Sequence, residues 1–115
     1  MKQYVQESYN LYIDGQWVPS SDGKTFKEYN PSNGEFLAEV SEATRDDVDK
    51  AVKAATKALE SWKHTSPAER QNLLLKIADI IDANADHLAM VETLDNGKPL
   101  RETKAVDIAL GADHF

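Results

Sequence analysis

The sequence predicts an α+β fold, with short antiparallel strands and a hairpin over about residues 10–41 and three α-helices over about residues 44–115. Three observations predict it. Near residue 41 the text changes from short β-like runs punctuated by Gly, Pro, Asn and Asp to nearly unbroken helical periodicity. Leu11-Tyr12-Ile13 and Gln16-Trp17-Val18 flank Asp14-Gly15, the chemistry of a type I′ turn, in which both central residues need φ > 0. Two strong helix-start signals, at Thr44 and Ser66, each precede apolar residues at intervals of three and four.

The elements follow in order. Residues 1–9 carry no pattern and are expected to be flexible. After the first hairpin, Asp22-Gly23 marks a turn, Thr25–Tyr29 alternates polar and apolar residues, and Asn30-Pro31-Ser32-Asn33-Gly34 interrupts it. Glu35–Val40 reads as the next strand, making three or four antiparallel strands. Thr44 caps the first helix, with Asp46 and Asp47 near the positive end of its dipole. Val48, Val52, Ala55, Leu59 and Trp62 then form one apolar stripe. Ser66-Pro67-Ala68-Glu69 is a full capping box with proline at the first helical position. Leu73, Leu74, Ile77, Ile80, Ile81, Leu88 and Val91 supply the apolar positions of the second helix, with a kink or restart near Asp82-Ala83-Asn84. Asn96-Gly97 ends it with a left-handed cap, and Pro99 starts a third helix that runs to Phe115 without a stop signal.

Leu73, Leu74 and Leu75 are consecutive and span most of a helical turn, so a small sheet and three helices leave apolar surface uncovered. Such a patch predicts an interface, either self-association or pairing with further sequence.

Composition excludes whole classes of chemistry. The chain has 115 residues, a formal charge of −7 and no cysteine. One domain fits that length. The acidic balance argues against nucleic acid, which needs clustered cations, and against an anionic membrane surface. Without cysteine there are no disulfides, thiolate metal sites or thiol nucleophiles. No apolar run approaches the ~20 residues of a membrane span, and MKQYVQESYN lacks a signal-peptide core, so a cytoplasmic chain is expected. The five glycines are too far apart for a dinucleotide fingerprint or a P-loop.

The remaining candidates are sparse. His64, His87 and His114 lack zinc-ligand spacing. Asp46, Asp47 and Asp49 read as a solvated helix start, and Ser20, Ser21 and Ser32 lie in turns with no adjacent base. Tyr12, Trp17, Phe26, Tyr29, Phe36 and Trp62 fall at strand or stripe positions and are expected in the core. Asp95 stands beside a helix terminus, where free carbonyls gather. A carboxylate with carbonyls is a ligand set for a hard cation, although Asp95 serves equally to brace the Asn96-Gly97 turn.

With these residues in place, four blocks resemble the N-terminal portion of NAD(P)-dependent aldehyde dehydrogenases: Leu11–Val18 (LYIDGQWV), Tyr29–Glu35 (YNPSNGE), Asp46–Ala55 (DDVDKAVKAA) and Glu92–Pro99 (ETLDNGKP). Order and spacing agree over residues 9 to 115, and Leu100–Phe115 looks most like the betaine-aldehyde and acetaldehyde dehydrogenase branches. The resemblance implies a section of a cofactor-binding domain, residues 1–115, from an enzyme that oxidises an aldehyde with NAD or NADP. It implies a cysteine nucleophile, a glutamate that activates water and an asparagine in the oxyanion hole. It places all three, and the cofactor-binding segments, in sequence that follows the position of Phe115, so this chain alone is expected to hold no cofactor and to be inactive. It also implies a monovalent cation held by Asp95 and the carbonyls of Glu28 and Tyr29. A further carbonyl from later sequence completes that set, so affinity in the isolated chain is expected to be poor.

Overall fold

The computed structural model describes residues 3–115; residues 1 and 2, part of the segment expected to be flexible, lie outside the described residues. Among the described residues five strands form two sheets: β1 (Ser8–Tyr9), β2 (Leu11–Ile13), β3 (Gln16–Val18), β4 (Thr25–Tyr29) and β5 (Phe36–Ser41). The sheet order is β1-β5-β4, with β2-β3 a separate hairpin. The hairpin turns as its Asp-Gly pair demands, with φ of 52° at Asp14 and 77° at Gly15. Leu11 faces Val18 and Ile13 faces Gln16.

Two features of the sheet differ from the sequence reading. The segment expected to be flexible contributes β1, which pairs parallel, not antiparallel, with β5 through Ser8↔Glu39 and Tyr9↔Val40. Tyr4 and Val5 pack against the buried cluster beside it, so contacts distant in sequence order a segment with no local pattern. The β4–β5 ladder also slips between Glu28 and Tyr29: Glu28 faces Ala38, whereas Tyr29 faces Phe36. That bulge leaves Leu37 without an opposite number.

The helices are α1 (Arg45–Trp62), α2 (Pro67–Ala83) and α3 (Ala85–Asn96), followed by α4 (Leu100–Glu102), a π-helical turn (Thr103–Ile108) and α5 (Ala109–Asp113). Thr44 and Ser66 cap α1 and α2, each with a reciprocal box, closed by Asp47 and Glu69. The restart near residue 84 is a full break that separates α2 from α3 at Asn84, so the last two expected helices become α2, α3 and the 100–113 stretch. Asn84 donates a side-chain hydrogen bond to Ile80 O at 2.8 Å, ending α2 by competing for its carbonyls.

Packing is lopsided. Among the described residues the buried apolar ones are Leu37, Ala38, Ala89, Leu94 and Ala112, all from β5, α3 and α5, and α2 buries none. The aromatics expected in the core are out in solvent instead, Trp17 at 68% exposure and Tyr12 at 61%. The α1 stripe is equally bare, with Val52 at 59%. The accessible surface is 8439 Å², against about 6,300 Å² for a sealed monomer of this mass. The radius of gyration is 16.9 Å, against about 13 Å for a compact chain of this length. The core is too small to receive every apolar residue the sequence offers it.

Candidate functional site

The NPSNG turn and the C-terminus of α3 meet. Asn30, 5% exposed, organises the turn: its N–H donates to Glu35 O at 2.9 Å, its carbonyl accepts from Gly34 N at 2.8 Å, and its Oδ1 accepts from Ser32 N at 2.9 Å. Across from it, α3 ends at Gly97 with φ of 78°. A Cβ built on Gly97 would lie 3.0 Å from Pro31 Cγ and 3.5 Å from Ser32 Oγ. Both the left-handed backbone and the closeness of Pro31 therefore require glycine at this position.

The loop after Gly97 is tied on its other side. Asn96 Oδ1 accepts from Lys98 N at 2.8 Å, and Lys98 Nζ grips Asp107 in the π-helical turn at 2.6 and 2.7 Å. The hydrogen bond to Asp107 holds the Lys98 ammonium above its ordinary value. Beneath the loop, Thr103 is fully buried, and its hydroxyl meets Thr93 Oγ1 at 2.9 Å, Ala89 O at 3.1 Å and Leu100 O at 3.1 Å. Neither Thr103 nor the Lys98–Asp107 pair is evident from the sequence, because both depend on how the chain returns after Pro99.

Of the three residues the resemblance assigns to a cation, Asp95 is exposed in the last turn of α3, and no partner among the described residues engages its carboxylate. Glu28 and Tyr29 straddle the β4–β5 slip, with Tyr29 two residues before Pro31. The Gly97–Pro31 contact brings the two segments side by side. Among the described residues no three His, Cys, Asp or Glu side chains converge on a metal position. One free carboxylate at the carbonyl end of a helix suits a weakly held hard cation, with backbone oxygens completing the shell.

At the start of α1, Asp46 and Asp49 are solvated as the sequence suggests, but Asp47 is not. Asp47 is only 3% exposed. It accepts from Ser21 N at 3.0 Å, from Ser21 Oγ, from Thr44 N at 3.0 Å and from Thr44 Oγ1 at 2.8 Å. Hydrogen bonds from the Ser21 side chain and backbone, then from Thr44, hold its carboxyl well below the usual carboxylate range. The Thr44-x-x-Asp47 spacing is the sequence signal for this box; the link to Ser21, 26 residues back, has none. Lys50 donates to Ser21 Oγ at 2.7 Å and Ser21 donates to Asp47, so this serine is a tie between loop and helix, not an activated nucleophile.

The α1–α2 corner is fixed by Arg70, whose Nη2 donates to Trp62 O at 3.3 Å and Lys63 O at 3.2 Å. Its guanidinium lies 5.7 Å from the Trp62 ring centroid. The corner is tied by these contacts, yet both helices leaving it are bare on their apolar sides.

The model of the aldehyde dehydrogenase family matches residues 17–115. The chain belongs to the aldehyde dehydrogenase family. A putative aldehyde dehydrogenase, DhaS, of Bacillus subtilis is 47% identical over 100% of this chain and 24% of its own length. An aldehyde dehydrogenase of Bacillus cereus, solved as its NAD+ complex, superposes with a TM-score of 0.91 at 41% identity, covering 96% of this chain and 23% of that one. HpcC of Thermus thermophilus gives a TM-score of 0.92 at 36% identity, over 97% and 22%. The chain thus spans about a quarter of the length of the aldehyde dehydrogenases it matches. Its short strands and helices reproduce one part of that fold with little distortion.

Proposed function

We propose that this chain is a scaffold section of the cofactor-binding domain of an NAD- or NADP-dependent aldehyde dehydrogenase that oxidises an aldehyde to a carboxylic acid in the cytoplasm. The observation that carries the reading is the superposition of nearly the whole chain on a quarter of an NAD+-bound relative, at 41% identity. Among the described residues no helix is long and apolar enough to cross a membrane. By itself the 115-residue chain turns over no aldehyde, because it has no cysteine, and a serine hydroxyl does not replace the thiolate that attacks the carbonyl. The purified chain, mixed with NAD or NADP and a panel of aliphatic and aromatic aldehydes, is expected to form no reduced nicotinamide. Aldehyde-dependent formation that persists through repeated purification overturns the assignment.

In the whole enzyme, Asp95 and the carbonyls of Glu28 and Tyr29 contribute to a monovalent cation site. The free Asp95 carboxylate and the Gly97–Pro31 contact support this. The expected outcome in the 115-residue chain is weak binding: potassium at high concentration raises the melting temperature slightly, and Asp95→Asn removes that rise.

A second reading, an assembly module, is favoured by the exposed apolar faces of α1 and α2. In this reading the chain pairs with itself or with the rest of the enzyme through those faces. Size-exclusion chromatography over a range of concentrations tests it. A concentration-independent monomer that binds no hydrophobic dye counts against it.

A further inference from the structure

Four dipeptides in the chain place Asp or Asn before Gly: Asp14-Gly15, Asp22-Gly23, Asn33-Gly34 and Asn96-Gly97. Such pairs undergo one spontaneous reaction. The backbone nitrogen of the glycine attacks the side-chain carbonyl carbon of the preceding residue and closes a five-membered succinimide. Ammonia leaves when that residue is Asn, and water leaves when it is a protonated Asp. Water then opens the ring at either carbonyl, giving aspartate or isoaspartate, with no oxidant or cofactor consumed. Glycine is the favoured neighbour because no Cβ screens its nitrogen. The attack needs a free glycine N–H and a loose side chain, so hydrogen bonding decides among the four sites.

Three sites are guarded. Gly97 N donates to Thr93 O at 3.0 Å, and the Asn96 amide is held at both ends, by Lys98 N at 2.8 Å and Glu92 at 3.4 Å. Gly34 N donates to Asn30 O at 2.8 Å, and Asn33 Oδ1 accepts from Glu35 N at 3.0 Å. Gly23 N donates to Ser20 O at 3.0 Å, and the Asp22 carboxylate accepts from Ser20 Oγ and Lys24 N and pairs with Lys24 Nζ at 2.9 Å. The bonds from Lys24 and Ser20 keep Asp22 ionised, and a carboxylate anion is a poor electrophile.

The fourth is open. Among the described residues nothing hydrogen-bonds to the Gly15 N–H or the Asp14 carboxylate, and both residues are exposed. Asp14 sits in the left-handed region at φ 52°, where a non-glycine residue is uncommon. Among the described residues the hairpin gains no third strand, and a two-stranded ribbon is marginal and opens readily.

We propose that Asp14-Gly15 is a spontaneous backbone-isomerisation site, and that folding shields Asn33-Gly34 and Asn96-Gly97 from the same ring closure. Isoaspartate at position 14 adds a side-chain methylene to the main chain. A two-residue turn cannot absorb it, so the Leu11↔Val18 register is lost. The product is a substrate for an isoaspartyl carboxyl methyltransferase using S-adenosylmethionine.

The full chain is incubated folded and in concentrated urea, then mapped by isoaspartyl methylation and by fragmentation that separates the two isomers. Isoaspartate is expected at position 14 in the folded chain, while Asn33 and Asn96 convert at least roughly ten-fold faster in urea than folded. The Asp14→Asn variant keeps a residue suited to the type I′ turn and puts the same chemistry at all three positions. In the folded variant, position 14 is expected to release ammonia at close to its rate in urea, well ahead of Asn33 and Asn96. The proposal is overturned if position 14 of the folded variant is as slow as those two, if Asn33 or Asn96 converts equally fast folded and unfolded, or if no isoaspartate forms at position 14 of the original chain.

Discussion

The β5–α3–α5 region and the α1–α2 corner carry similar local signals and have opposite fates. The first, with the π-helical turn between α4 and α5, contains Leu37, Ala38, Ala89, Leu94, Thr103 and Ala112, the buried residues that hold the chain together. The second has two reciprocal capping boxes, a helix-start proline and a cation over an aromatic ring, yet over residues 45–83 it buries only Asp47. Good local chemistry makes a helix; it does not supply a partner for its apolar side. The contrast leaves the apolar faces of α1 and α2 exposed, which is what supports the proposed pairing through them.

The largest expected effect comes from core truncation compared with the same change outside it. Leu94→Ala removes one of the two leucines from a cluster of three buried residues and is expected to cost about 2–5 kcal/mol. Leu74→Ala, at 42% exposure on α2, is expected to stay within about 0.5 kcal/mol in this chain. Urea midpoints of the two variants measure the difference, and equal losses would break the comparison. Thr103→Val comes next, since it leaves Ala89 O and Leu100 O without the hydroxyl that serves them, at a cost of about 1–3 kcal/mol. Ser66→Ala, which removes an exposed cap, should cost about 1 kcal/mol and mainly fray the first turn of α2.

Acid sharpens the contrast further. Folding lowers the Asp47 carboxyl below its unfolded value of about 3.9, so its stabilisation is complete above about pH 5 and is lost as pH falls toward the folded value. Asp22 and Glu69 are shifted the same way through Lys24 and Ser66. Unfolding midpoints measured at decreasing pH should therefore decline, and Asp47→Asn should make that decline shallower without abolishing it.

What is legible in the sequence is local. Asp14-Gly15 specifies its turn, Ser66-Pro67-Ala68-Glu69 its helix start and Gly97 its left-handed end, because each acts through neighbours a few residues away. The open apolar faces follow from three consecutive leucines. Hidden are β1, which exists only as a neighbour to β5, and the tie from Asp47 to Ser21 across 26 residues. The π-helical turn is hidden too, because Thr103 and Asp107 find their partners only once Pro99 has turned the chain back. The spacing of the aromatics suits burial and points them to the core, but spacing is silent about whether enough chain is present to cover them. For the cation candidate, Asp95 is visible as a carboxylate at a helix end, whereas its neighbourhood with Glu28 and Tyr29 comes from the family resemblance and rests structurally on Gly97 meeting Pro31.

Amide hydrogen exchange on the 115-residue chain, read residue by residue, tests this division most directly. The amides of β5 and α3 are expected to exchange only with global unfolding, and those of α1 beyond its first turn and of α2 to exchange orders of magnitude faster through local opening. Protection of α1 and α2 equal to that of β5 and α3 would contradict the account, because it would mean the bare helices need nothing more to be stable.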